Sequence, residues 1–227
     1  ASRPSMNFVP IKQVEQQDIQ SIHRVRSRVV KNRTALINEI RGLLLEYGIA
    51  IPLGAAKVKR FLCEIIANNK NELTDLSREC MRGLYEELIE IEARQKKLDK
   101  QIRQISRQNK TCNRILKIPG VGDLTATALV AAMPDAREFN NGRHMAAWLG
   151  LVPRQSSSGD KQTLLGIRKR GDRYLRTLLI HGARSALSHY KKTDTLYGRW
   201  LFDKKASLSF NKAAVALANK NPRIIWS

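Results

Sequence analysis

The residues best suited to chemistry in this chain are a run of serines ending in a glycine, Ser156-Ser157-Ser158-Gly159, set among cations. A serine hydroxyl becomes a nucleophile when it is exposed, flexibly seated, and close to a base or to cations that favour the alkoxide. Ser158, beside Gly159, has the seat. Arg154, Lys161, Arg168, Lys169 and Arg170 supply cations able to hold a scissile phosphate and to stabilise the charge it gains under attack. From spacing alone, a solvated Ser/Gly-rich linker is the better reading of the same stretch, because one serine cluster carries no geometric proof.

Two further motifs point to phosphate. Between Lys161 and Arg184 there are seven basic residues and one acid. Such a run is hard to justify without a polyanion, and it reads as a phosphate clamp ahead of a solvated basic face. Asp172 is placed to cap a helix whose apolar face is Leu175, Leu178, Leu179 and Ala183. Arg173 and Arg176 join the Arg168–Arg170 run at its start. His181 lies inside that helix and reads as structural. Upstream, Ile115-Leu116-Lys117-Ile118-Pro119-Gly120-Val121-Gly122 followed by an Ala-rich segment has a helix-hairpin-helix pattern. Gly120 and Gly122 permit the turn and bare N–H groups at the next helix start, where a phosphate is favoured. A tight turn that binds nothing is the alternative. Combined with the charge balance, DNA-backbone contact is preferred.

The elements that must position these residues are helical. Residues 11–47 read as one helix with Ile22, Val25, Val29, Leu36, Ile40 and Leu43 on one face, stopped by Gly48 and Pro52. A short helix over Ala55–Ala67 and a turn over 68–71 follow. Residues 72–108 read as a second long helix, with an apolar stripe through Leu73, Leu76, Cys80, Leu84, Leu88, Ile91, Leu98, Ile102 and Ile105. Its acidic middle (Glu86, Glu87, Glu90, Glu92) faces a basic first helix. That predicts an antiparallel hairpin with a coiled-coil seam, an oligomerisation or spacer arm over residues 1–110. From Cys112 the texture changes to short helices, frequent glycine and dense arginine. Residues 111–227 are read as a compact domain holding the serine loop, closed by an Ala-rich helix that carries Lys212, Lys220 and Arg223. The fold class is all-α.

Composition sets the partner class. Over 227 residues, 41 Lys plus Arg against 20 Asp plus Glu give a formal charge of +21. A charge of that size opposes compaction unless a polyanion neutralises it, and nucleic acid is the commonest one. With 42% hydrophobic residues the chain can bury a core, which excludes a disordered basic tail. Cys63, Cys80 and Cys112 form neither a zinc pattern nor a disulfide framework, and read as buried free thiols of a reducing cytosol. No apolar run approaches a membrane span, and the N-terminus has no signal core. The opening Ala1-Ser2-Arg3-Pro4-Ser5-Met6 reads as the edge of a longer reading frame.

Longer strings carry a resemblance. Arg3-Pro4-Ser5-Met6-x-Phe8-Val9-Pro10, the Ile118–Ala132 segment, Ala146–Gly159, Lys169–Arg184 and Val215–Asn221 together resemble the insertion-sequence one-ten transposase family, eleven-eleven subgroup, essentially end to end. The resemblance implies a C-terminal domain whose serine attacks DNA: Ser158 here, with Ser157 as second choice. It also implies a coiled-coil region, dimers or tetramers, a structured guide RNA of the element, and a bacterial cytoplasmic setting. Four metal-binding acids of an N-terminal RNase-H-like domain belong to that family, and none of the acids in residues 1–227 replaces them. The expectation is a nucleic-acid-binding C-terminal portion with no catalytic metal of its own, Mg2+ being expected only with the N-terminal domain, and no autonomous recombination. Two other readings stay open: a non-catalytic basic binding and assembly module, and, by fold analogy alone, a branched-DNA adaptor.

Overall fold

The computed structural model describes residues 11–133, 138–158, 161–190 and 195–227, with residues 157, 158, 161, 162 and 164 by their backbone alone. Among them are nine helices and one two-stranded sheet, so the fold is all-α with a β-hairpin inserted. The chain divides into two compact units, residues 21–101 and residues 1–20 with 102–227.

In the first unit, α1 (Val14–Glu46), α2 (Ala55–Ala67) and α3 (Asp75–Gln108) supply the elements. Gly48, at φ 68°, ends α1. The Arg41 guanidinium then donates to the carbonyls of Ile51 (2.8 Å) and Pro52 (2.7 Å), which fixes the turn into α2. Ile40, Leu44, Val58, Leu62, Met81 and Leu88 form the heart of the core.

Opposite charge aligns the long helices. Arg26 pairs with Asp99, and Arg33 pairs with Glu92 at 2.7 Å. The partner number falls by one heptad as the α1 number rises by one, so α1 and α3 run antiparallel here. Lys59 of α2 joins the same carboxylate at 3.3 Å. Burial alone would raise the Glu92 carboxyl, but hydrogen bonds and charge from Arg33 and Lys59 outweigh it and hold the group below the ordinary carboxylate range. Partly exposed pairs of this kind contribute at most about 1 kcal/mol each, so they set direction more than stability.

The α3 stripe differs from the one read in sequence. Leu76 is 72% exposed and Cys80 is exposed, while Met81 is buried. The reason is helical phase: at about 100° per residue Leu76 lies about 120° and Cys80 about 80° from the buried Leu88, whereas Met81 lies about 20° from it. Cys63 is also exposed, leaving Cys112 as the buried thiol of the three. Cys63 directly follows the buried Leu62, so the turn of α2 carries it off the core face.

The second unit contains α4 (Lys110–Ile115), α5 (Asp123–Ala132), α6 (Gly142–Trp148), β1 (Pro153–Ser158), β2 (Lys161–Ile167), α7 (Arg173–Ser188), α8 (Leu196–Ser207) and α9 (Phe210–Trp226). Its core is built on α7 and α9, where Leu175, Leu179, Leu187, Ala213, Ala214 and Leu217 are buried. Alanines on α9 let the two helices approach closely. The start of α1 is tied in by Gln16 and Gln20, whose amides donate to the Val130 and Ala131 carbonyls at the end of α5. These are carbonyls that no later helical turn can satisfy.

The serine loop of the sequence reading is corrected by this structure. Residues 153–158 form a strand paired antiparallel with 161–167, in the register Gln155↔Leu164 through Ser158↔Lys161. Between Pro153 and Gln155 the register shifts, and two residues of β2, Leu165 and Gly166, stand opposite Arg154, so the extra residue of the bulge is on β2. A strand reading Arg-Gln-Ser-Ser-Ser lacks the alternating apolar residues that signal a strand, so it looks like a linker.

Candidate nucleic-acid interface

The hairpin stands on a backbone interlock. Gly150 (φ 70°) and Gly171 (φ 103°) both occupy the left-handed region. A methyl group at Gly150 would fall 2.0 Å from the Arg170 carbonyl oxygen, and one at Gly171 would fall 2.0 Å from that of Trp148. The Arg168 N–H donates to Val152 O (2.9 Å) and the Lys169 N–H to Gly150 O (3.1 Å). Segments 148–152 and 168–171 are therefore in direct main-chain contact, a closeness open only to glycine. Lys169 itself is held at φ 57°, a conformation uncommon for a non-glycine residue. Asp172 caps α7 as expected, its carboxylate accepting from the Leu175 N–H at 3.0 Å.

This interlock builds a cationic cleft at the hairpin base. Among the described residues Pro153, Arg154, Gln155, Arg168 and Arg170 line a space of about 470 Å³, and none of these is acidic. Arg154, opposite the β2 bulge, and the tight 168–171 turn bring three guanidiniums to one volume. Each offers planar, paired donors that match phosphate oxygens. Lys169 and Arg173 are exposed beside the cleft. Arg176 has a different duty: its guanidinium donates to Leu149 O at 3.2 Å, closing the end of α6.

Ser157 and Ser158 lie at the far end of β1, opposite Gln162 and Lys161. Their side chains and that of Lys161 lie outside the described residues, as do Gly159 and Asp160. Four strand residues separate Ser158 from Arg154, about 13 Å along the strand. The arginine cleft and the serine end thus occupy the two ends of one hairpin.

The glycine turn splits its two expected residues. Gly120 (φ 87°) packs on α7, where a methyl group on Gly182 would meet the Gly120 oxygen at 1.9 Å. Gly122 is exposed at the start of α5, and no side chain caps that helix. Gly182 lies nine residues beyond Arg173, roughly 14 Å along α7, so this turn and the arginine cleft are separate places.

Sequence reading missed what α9 does. Asn219 donates to Leu151 O (3.1 Å) at the entry to the hairpin, and the fully buried Asn221 donates to Pro119 O (3.0 Å) in the glycine turn. Trp226 donates to Phe139 O at 2.8 Å. The available signal was two asparagines, two residues apart, following the alanine-rich stretch of this helix. Among the described residues no three His, Cys, Asp or Glu side chains group where they could hold a metal ion. No helix of the described residues is long and apolar enough to cross a membrane.

Known proteins show the same chain pattern. Residues 112–198 match the Transposase IS116/IS110/IS902 family. The whole chain is 48% identical to a "Probable family 20 transposase" of Pseudomonas aeruginosa, covering 68% of that protein. It is 46% identical over its full length to the transposase for insertion sequence element IS1111A of Coxiella burnetii, covering 62% of it. Over 99% of the chain it is 34% identical to the transposase for insertion sequence element IS1328 of Yersinia enterocolitica, covering 66% of that protein. The chain therefore spans about two thirds of the length of these relatives, and it belongs to the IS116/IS110/IS902 transposase family.

Proposed function

We propose that this chain is the DNA-gripping, serine-bearing portion of an insertion-sequence transposase. The observation that carries the reading is the cleft of Arg154, Arg168 and Arg170, three guanidiniums fixed on an interlocked backbone with no acid among the described residues that line the space. In this account the cleft holds a backbone phosphate of DNA, Lys169 and Arg173 extend the grip, and the exposed Gly122 end of α5 takes a second phosphate. Contacts of this kind position DNA without reading its sequence. Ser158, with Ser157 as the alternate, is the nucleophile. Its hydroxyl oxygen attacks a phosphodiester and the bond to the 3′ oxygen breaks. That oxygen leaves as a hydroxyl, taking up the proton that serine gives up, and the 5′ phosphate stays esterified to the protein. Residues 1–110 serve as the assembly arm, with a coiled-coil seam along α1 and α3, in a dimer or tetramer that also holds the element's guide RNA. The setting is the bacterial cytoplasm, where the DNA lies.

The 13 Å between cleft and serine favours one rival, a binding and assembly module without chemistry. Both readings share the cleft. Replacing Arg154, Arg168 and Arg170 by Gln should weaken duplex binding and flatten the plot of log K against log salt by about 0.9, for the one phosphate the cleft holds. Arg60→Gln on α2 should leave the slope unchanged. A triple variant with the wild-type slope overturns the assignment of the cleft.

A further inference from the structure

A second, larger groove opens beside the first. It lies between β2, α8 and α9 and has a volume of about 1300 Å³. Leu165, Ile167, Leu208 and Val215 give it an aliphatic floor, and Lys204, Lys212, Lys220 and Arg223 stand around it. Among the described residues no aspartate or glutamate lines it. Lys220 sits 3.9 Å over the Trp200 ring, and burial together with the neighbouring Arg223 charge lowers its affinity for its proton. An anion entering the groove would relieve that crowding. Pro153 lines both this groove and the arginine cleft, so the two are neighbours at the hairpin base.

We infer that this groove receives an unpaired nucleic-acid strand continuing from the phosphate held in the arginine cleft, an inference that rests on the DNA-binding reading of that cleft. A duplex turns sugars and phosphates outward and has nothing to lay on an aliphatic floor. An unpaired strand has both parts the groove asks for: apolar base faces for the floor and phosphates for the four cations. Lys220 covers the Trp200 face, so the bases rest on aliphatic side chains instead of stacking on that ring. An acidic amphipathic peptide would match the groove's charge, but it gives no reason for the groove to lie next to the arginine cleft.

The experiment compares the full chain binding a blunt duplex and the same duplex with an unpaired tail of about ten nucleotides, by fluorescence anisotropy across a salt series. The tailed form should bind about tenfold tighter, and its salt slope should be steeper by roughly 0.7 for each groove cation engaged, approaching 3 for all four. Leu165→Glu and Val215→Glu should remove the tail advantage and leave duplex affinity within twofold. Lys204→Ala with Lys212→Ala serves as a second test on exposed positions if a floor variant fails to fold by circular dichroism. Equal binding of both probes by the wild-type chain, with duplex binding intact, overturns the inference and leaves the groove to an acidic peptide. A tail advantage that survives both sets of variants overturns it too. Binding of the lone single strand without duplex binding sinks the arginine-cleft reading and leaves the groove standing.

Discussion

Replacing Gly171 by alanine tests whether the backbone interlock makes the cleft. At φ 103° an alanine occupies a region that L residues rarely adopt, and its methyl carbon starts 2.0 Å from the Trp148 carbonyl oxygen. Segments 148–152 and 168–171 must part by about 1 Å before that contact reaches the 3.0 Å that real side chains tolerate. Backbone strain of about 1–3 kcal/mol and overpacking of about 1–3 kcal/mol together put the cost near 3–5 kcal/mol. For a chain of this size that lowers the melting temperature by roughly 10 °C, at about 2–4 °C per kcal/mol. Because the same movement carries Arg168 and Arg170 away from Arg154, duplex affinity at moderate salt should fall about tenfold or more. The comparison is Gly122→Ala, where φ is −102° and nothing lies within 4 Å of the added carbon. That variant should melt within about 2 °C of the parent. Scanning calorimetry and anisotropy on both variants decide the matter. A Gly171→Ala protein with parental stability and parental affinity would refute the claim that main-chain contact shapes the cleft.

Two further outcomes follow from burial. Cys112 is buried and its thiol is pushed up to about 11 by burial and then by the Asp123 charge, so iodoacetamide at pH 7.5 should label Cys63 and Cys80 and spare Cys112. Mass spectrometry should find two adducts on the native chain and three on the denatured one. His23 is buried, and burial followed by the Arg26 charge lowers its pKa from 6.5 to about 4. The unfolded chain therefore takes up the proton first, and the stability of the 21–101 unit is lost as pH falls from 6.5 towards 4, by about 2 kcal/mol between pH 6.5 and 5. Denaturant titrations at the two pH values should show the loss in the parent and a much smaller one in His23→Leu. Equal losses in both would assign the acid sensitivity elsewhere.

Periodicity exposed the long elements and hid the short ones. Residues 11–47 and 55–67 were readable because Leu36, Ile40, Val58 and Leu62 recur at helical spacing and Gly48 stops the first run. The start of α7 was readable because an aspartate cap is a local device and Asp172 makes that bond. The hairpin was hidden by the polarity of β1. Its one signal was Gly159-Asp160, a two-residue pair of the kind that joins hairpin strands, between Ser158 and Lys161. The error in the α3 stripe came from following four-residue steps through Leu76, Cys80, Leu84 and Leu88, each of which drifts about 40° around the helix. At the site, charge density drew attention to the right segment but could not separate a free arginine from a spoken-for one. Arg154, Arg168 and Arg170 converge on open space, whereas Arg176 closes a helix end 27 residues back in the chain. That distinction arises from tertiary contact alone. The same holds for Gly120, whose lost side chain makes room for α7, and for Asn219 and Asn221, whose carbonyl partners lie 68 and 102 residues away.

The central claim is that a serine at the end of this hairpin joins covalently to DNA. The direct measurement is a denaturing gel on mixtures of this chain with the element's end DNA, its RNA and magnesium, with and without a supplied N-terminal domain of the family. The account predicts a protein–DNA band that needs the supplied domain, persists in Ser157→Ala and vanishes in Ser158→Ala. A band that survives Ser158→Ala would contradict that assignment. The absence of a band from every mixture, with tight salt-sensitive binding retained, would make the chain a binding and assembly module and refute the claim of serine chemistry.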